Sequence, residues 1–445
     1  MAWIEKQHGC FERPFDSMER FHKAYGAVGH RFDREHFSLS AAVQFCFDTA
    51  LGDTAEALRQ TWKTMRFRYP QIAAFAQADT YVYEVPDAAA LESWLACTFT
   101  VEPSTTTASA LQATFKPQKL ASLHYLPHSS EILFHTAHWR IDGVGMLQFF
   151  DSFFEALAHP AMVEFGSEHK NLTQALDEAA KVPKQITPEV EQVSTARLME
   201  FLTNLPSIGL PTFPERTPGA THRLATELDH QTTSAIIARC KAQCISVTAA
   251  IHAAVVCATQ KLADPARPGT KYTTFTFFDL RKYLPPESLG GDFALSVYHV
   301  GLPATFHPSN FSSNAKELKR IYARPFSTPD ENIFTFLPCY VDLVTRMVSQ
   351  PPPPNTLPAT EGNFSSLGLI DKYMKAKYDK VQIKDFWLGV EMLTPIPMVH
   401  AWTRQGKMKF NLSYNDSFFS QDLAQSFLDK VVATLLEGLG VQRHL

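Results

Sequence analysis

What this chain has little of narrows the possibilities first. Charged residues make up only 19% of its 445 positions, and 41 Lys+Arg against 45 Asp+Glu leave a net charge of −4 with no dense basic run. So flat a balance gives no electrostatic footing for a nucleic acid or an anionic membrane surface as partner. No stretch reaches the ~18 consecutive apolar residues that a membrane span requires. The opening, MAWIEKQHGCFERPF, carries charges within its first six residues and no apolar block, so a secretory leader is not expected and a cytoplasmic location is. The seven cysteines (Cys10, Cys46, Cys97, Cys240, Cys244, Cys257 and Cys339) form no C-x-x-C and read as buried free thiols. Cys240 and Cys244 are expected on one apolar helical stripe, and no metal is expected. Also missing are G-x-S-x-G, G-x-x-x-x-G-K-[ST], H-E-x-x-H and G-x-G-x-x-G, which removes the usual support for a serine hydrolase, a P-loop NTPase, a zincin or a dinucleotide fold.

What is present is apolar and aromatic. Hydrophobic residues reach 45%, and 34 Phe far outnumber 13 Tyr and 6 Trp. The excess fits either a large core or a cavity for an apolar ligand. At about 100–200 residues per domain the length suggests two domains. Local patterning is mixed. Val43–Phe47 and Glu131–Ala137 read as strands, and Gly52-Asp53-Thr54 should give a turn and cap before a helix presenting Leu58, Trp62 and Met65 and stopped by Pro70. Beyond Gly143 a helix offers Met146, Phe149, Phe150, Phe153 and Leu157 to a core. A Pro-studded stretch over 181–220 looks like a crossover linker between an N-terminal domain, 1–180, and a C-terminal one, 221–445. The pattern then restarts with helices over Thr233–Ala242 and Thr248–Leu262 and strands over Tyr272–Phe278 and Leu295–Leu302. A helix over Ser313–Tyr322 follows, then Pro351-Pro352-Pro353-Pro354 marks a loop. Met408, Phe410, Leu412 and Tyr414 alternate as a strand, and a helix capped by Ser420 should end at Gly438.

Against this background, His138-Trp139-Arg140-Ile141-Asp142-Gly143 stands out. At this composition an H-x-x-x-D pair is expected about once by chance, but a Gly directly after it cuts the expectation to about 0.03. The His ends a strand and the Gly opens a turn before a Phe-rich helix, so the imidazole can face a cavity while the backbone turns tightly at Gly143. Spacing alone leaves Asp142 as either a second catalytic carboxylate or a loop-holding group. It also leaves open whether Trp139 and Arg140 line a cavity or pack away from it.

His138 to Gly143 resembles the H-x-x-x-D-G signature of the BAHD-type acyltransferases and of the condensation domains of nonribosomal peptide synthetases. Two further elements fall in the expected order: Phe278-Asp279-Leu280-Arg281 with Pro285-Pro286 and Gly290-Gly291, similar to the family's D-x-R and P-P run, and Asp385-Phe386-Trp387-Leu388-Gly389, similar to D-F-G-W-G with two substitutions. The resemblance covers essentially the whole chain and looks strongest to fungal O-acetyltransferases of the trichothecene 15-O-acetyltransferase type. It implies an α/β fold of two chloramphenicol-acetyltransferase-like domains, each a mixed sheet with helices, and an active site in a tunnel between them. It also implies a salt bridge from Asp142 to Arg281, which makes Asp142 structural. Position 137 is Ala where condensation domains usually carry a second His, which favours a free acyl-CoA donor, with acetyl-CoA first among them, over a carrier-protein thioester.

The resemblance thus implies a CoA-dependent O-acyltransferase acting as a monomer on a hydroxyl of an apolar secondary metabolite such as a terpenoid. An alcohol attacks a thioester poorly until its proton is removed, and a neutral imidazole suits that task near pH 7. His138 is the expected general base, with Asp142, Gly143 and Arg281 holding the turn that aims it. No Ser or Cys nucleophile is needed, so direct transfer without an acyl-enzyme is expected. Lys271, Ser365 and Ser366 are candidate contacts for the CoA phosphates. The rival readings are amide formation by the same machinery, a scaffold repurposed for isomerisation or cyclisation, and a non-catalytic binding protein.

Overall fold

A computed structural model describes residues 2–48, 52–214, 217–288, 293–324, 326, 332–353 and 355–443. Gly290-Gly291, Pro354 and the terminal His444-Leu445 lie outside the described residues. The chain divides into two compact units, one of Met1–Lys184, Leu280–His299 and Asp371–Val390, the other of Gln185–Asp279, Val300–Ile370 and Glu391–Leu445. Two short pieces of the later sequence, carrying Arg281 and Asp385–Gly389, therefore belong to the same unit as His138.

That first unit is built on a six-stranded mixed sheet. Its order runs Lys377–Tyr378, Val381–Val390, Leu39–Phe47, Glu131–Thr136, Ser122–Leu126 and Phe99–Val101, antiparallel except for the last pair. Leu39–Phe47 is buried from Leu39 to Val43 and at Phe45 and half-buried at its other positions, as a central strand covered on both faces should be. The segment Asp385–Gly389 pairs with Ser40–Gln44 after a register shift, and it buries Phe386 and Leu388. Over the sheet the Phe-rich helix Gly143–Ala158 and the helix Thr54–Arg68 bury Phe149, Phe150, Phe153, Trp62 and Met65 completely. Trp62 stacks on Trp94 at 5.3 Å, and Phe134 meets Phe149 at 4.8 Å. Each such pair contributes about 0.5–1.5 kcal/mol beyond the area it buries. The Phe of this helix are thus core, as their helical spacing predicts. A second sheet of four short antiparallel strands, Ile4–Gln7, Cys10–Pro14, Thr80–Glu84 and Phe75–Gln77, completes the unit.

The second unit centres on a four-stranded sheet ordered Asn363–Leu369, Met398–Arg404, Lys407–Asn415, Thr221–Leu228, with the first pair parallel. Helices His230–Ala242, Val247–Lys261 and Gln421–Leu439 pack in this unit, capped by Asp229, Ser246 and Ser420. Tyr272–Asp279 and His299–Phe306 form a separate two-stranded sheet. The Pro-studded stretch 181–220 is not featureless: it carries the helix Pro188–Leu202, with Pro188 in the first turn, where its missing N–H costs nothing. Among the described residues no single helix is long and apolar enough to cross a bilayer. Only His230–Ala242 with Val247–Lys261, bent by 99°, passes as a pair, on length and composition alone.

Four local expectations are corrected. The strand expected from Leu295 starts only at His299, because the Tyr298 N–H is given to the Asp142 carboxylate at 2.7 Å and not to a neighbouring strand. The last helix runs past Gly438 to Leu439, and the residue that ends it is Gly440, at φ 63. Cys240 and Cys244 do not share a helical stripe: the helix stops at Ala242, and Cys244 is exposed at φ 53. All seven cysteines are free, but Cys97 is exposed as well, and Cys10 and Cys46 are only half-buried.

Candidate active site

The strand Glu131–Thr136 delivers the chain to a short turn, and Asp142 starts the helix Gly143–Ala158 as its N-cap, with φ −109 and ψ 178. Asp142 Oδ1 accepts from the Gly145 N–H at 2.8 Å, which satisfies one orphan donor of the first helical turn. Its other oxygen, Oδ2, accepts from the Tyr298 N–H at 2.7 Å and from Arg281 Nη1 at 3.0 Å, and lies 3.9 Å from His299 Nδ1. Burial would push this carboxyl up, but the Arg281 guanidinium and His299 outweigh it and hold Asp142 well below the usual carboxylate range. Arg281 is fixed in turn by a second bond, from Nη2 to the Phe293 carbonyl at 3.0 Å. Gly143 is the first helical residue. The close approach falls two residues on, where a Cβ at Gly145 would sit 2.2 Å from the Ala294 carbonyl oxygen.

Trp139 and Arg140, which spacing left undecided, both pack inward. Arg140 is fully buried and donates to the carbonyls of Gln71, Ala74 and Lys119 at 3.1, 2.7 and 3.1 Å and to Thr136 Oγ1 at 2.7 Å. Trp139 lies against Phe15 and Tyr81, and its side chain bonds Glu35. Between His138 and Gly143, Trp139, Arg140 and Asp142 are thus clamped to surrounding backbone and side chains and Ile141 is fully buried, so the imidazole is carried on a rigid turn.

Two histidines beside His138 were not anticipated. His22 is buried and stacks on His138, with ring centroids 4.0 Å apart and planes 12° from parallel. His22 Nε2 meets His299 Nε2 at 3.3 Å, and the His138 and His299 rings are 5.2 Å apart. A hydrogen bond between two Nε2 atoms requires one to carry the proton and the other to present its lone pair. Burial, and then the neighbouring His138 and His299, push His22 well below the ordinary imidazole range, so it is neutral near pH 7. Its helix, Ser17–Ala27, is held by a reciprocal cap: the Glu19 N–H donates to Asp16 Oδ1 at 2.8 Å, and the Asp16 N–H donates to Glu19 Oε2 at 2.9 Å. Arg13 forks onto Glu19 at 2.6 and 2.7 Å. His22 and His299 are 277 positions apart, and neither falls in a motif, so only the D/E-x-x-E-like capping sequence before His22 hinted at a fixed helix there.

His138, Asp142, Gly143 and Arg281 therefore come together in one unit. Lys271, Ser365 and Ser366 belong to the other. Lys271 Nζ donates to Asn204 Oδ1 at 2.6 Å, and Ser366 Oγ lies 3.3 Å from Thr248 Oγ1.

No protein-family model matches the chain. Among known proteins it is 31% identical to acetyltransferase pigO of Monascus ruber, over 99% of both chains. It belongs to that acyltransferase family. It is also 29% identical to O-acetyltransferase pigM of the same organism, covering 99% of this chain and 88% of that one. Among solved structures, the TRI3 trichothecene 15-O-acetyltransferase of Fusarium sporotrichioides superposes with a TM-score of 0.83 at 16% identity, covering 98% of this chain and 97% of that one. The fold is the chloramphenicol-acetyltransferase-like α/β fold shared with condensation domains, and the protein is an acyltransferase of secondary metabolism.

Proposed function

We propose that this acyltransferase is a CoA-dependent O-acetyltransferase that esterifies a hydroxyl of an apolar secondary metabolite, with His138 as general base. The observation that carries the proposal is the occupancy of Asp142. Three donors from Gly145, Tyr298 and Arg281 engage its two oxygens, so it works as an anchor and leaves the imidazole on the clamped turn as the proton acceptor. His138 takes the hydroxyl proton as the oxygen bonds to the thioester carbonyl carbon. The carbon–sulfur bond then breaks, and the proton passes to the departing thiolate, giving ester and CoA–SH. One base serves both steps, and no covalent enzyme intermediate forms.

The acceptor is a small apolar alcohol, a terpenoid being one such class. Lys271, Ser365 and Ser366 are the proposed phosphate contacts, Lys271 exchanging its bond to Asn204 for a phosphate oxygen. The proposal includes a monomer working in the cytoplasm, a reducing setting that suits seven unpaired thiols. Calorimetry with acetyl-CoA on the wild type and on His138→Ala tests it. Both should bind, and only the wild type should release CoA thiol with an alcohol. A wild type that binds no acetyl-CoA overturns the proposal and favours a scaffold repurposed for proton transfer alone.

A further inference from the structure

His22, His138 and His299 bring three imidazole nitrogens within 4.8 Å of one another in the first unit. Two of these are set more closely than chance packing requires. His22 Nε2 and His299 Nε2 stand 3.3 Å apart. Two nitrogens, each about 2.0–2.1 Å from a tetrahedral zinc ion, are separated by roughly 3.3–3.4 Å, so the pair already has the bite of two zinc ligands. His299 adds a feature usual for metal-ligating histidines: its Nδ1 faces the Asp142 carboxylate at 3.9 Å while Nε2 points to the cluster. The third nitrogen must close in by rotation of the His138 ring, which now lies flat against His22.

We propose that His22, His138 and His299 form a site for one divalent first-row transition ion, zinc being the best match. Imidazole nitrogens suit zinc, copper and nickel and disfavour magnesium or calcium. Three protein ligands leave a fourth position open to water. In binding, the ion takes the Nε2 lone pairs of both rings, and the proton that lay between them moves to Nδ1 of the imidazole that carried it, so each ring stays neutral. An ion held there also takes the His138 lone pair, so metal occupancy and acyl transfer exclude each other. That consequence rests on His138 being the base; the binding itself does not.

The test is zinc chloride titrated into the chelator-treated full chain by calorimetry, with X-ray absorption on the zinc-loaded wild type. One ion per chain is expected, ligated by nitrogen at about 2.0–2.1 Å with no sulfur shell at about 2.3 Å. His22→Gln and His299→Gln, checked for folding by thermal melts, should each weaken binding at least roughly tenfold, the lower end of what even an outer-shell partner contributes. Absence of stoichiometric binding, a sulfur shell that places the ion on a cysteine, or unchanged affinity in the folded double variant overturns the proposal. The absorption measurement decides it without any variant. Zinc that binds as expected yet leaves CoA release unchanged would instead count against His138 as base.

Discussion

Arg281 and Asp142, 139 positions apart in the sequence, meet within one unit through a 3.0 Å bond from Nη1 to Oδ2. Their side chains are 10% and 3% exposed, so the pair is nearly dry. Removing one member of such a pair strands the other's charge, and that penalty exceeds the worth of the bond itself.

Arg281→Ala should therefore cost about 3–5 kcal/mol in a urea melt. Asp142→Asn added to it should recover part of the loss, because the stranded carboxylate is gone while Oδ1 still accepts from Gly145. An Arg281→Ala protein that unfolds at the wild-type midpoint would show that the pair holds nothing.

Gly145→Ala places a methyl 2.2 Å from the Ala294 carbonyl oxygen, a backbone atom that cannot swing aside. Overpacking of this kind costs about 1–3 kcal/mol and should move the first turn of the helix that Asp142 caps. The control is Gly52→Ala, where an added methyl meets nothing within 4 Å. Equal melting temperatures for the two variants would refute the assignment.

The parts of this molecule legible in the sequence are those fixed by near neighbours. Ser420 and Asp53 cap helices because a side-chain oxygen reaches a backbone N–H three residues on. Met408, Phe410, Leu412 and Tyr414 recur every second residue on one face of a strand and are all buried, and His138 to Gly143 is contiguous and so can be seen as a motif. What could not be read depends on distant groups. The Tyr298 N–H leaves its expected strand for a carboxylate 156 positions away. Arg140 and Trp139 turn inward because three carbonyls from two other segments and Glu35 wait for them. His22 and His299 reach His138 only through a capped helix and a late chain segment that no local pattern ties to it.

Glu35 makes stability depend on pH. Burial pushes its carboxyl up to about 7 from an ordinary 4.5, although Arg140 and the bond from Trp139 pull the other way. The unfolded chain gives up this proton near 4.5 and the folded chain near 7, so in that window the unfolded state binds fewer protons and stability falls as pH rises. The full loss, up to about 3 kcal/mol, is present above roughly pH 7. Glu35→Gln should match the wild type near pH 4 and melt higher near pH 8. Glu361, buried in the other unit and also pushed to about 7, acts in the same direction, so the single variant should flatten only part of the profile. A variant that melts lower than the wild type at both pH values would contradict this account.

His138→Ala separates the base from its supports. Loss of a positioned general base lowers turnover by about 10²–10⁴-fold. Because Gly145, Tyr298 and Arg281 still hold Asp142, the variant should stay folded and keep its affinity for acetyl-CoA, and lose CoA release in the presence of an alcohol acceptor. Asp142→Ala should behave differently, losing folded protein and turnover together, since it takes away the cap on Gly145, the partner of Arg281 and the acceptor of the Tyr298 N–H in one step. Thiol release and thermal melts on the two variants side by side distinguish the roles. A well-folded, fully active Asp142→Ala would remove the anchor role, and a His138→Ala enzyme at wild-type turnover would remove the base.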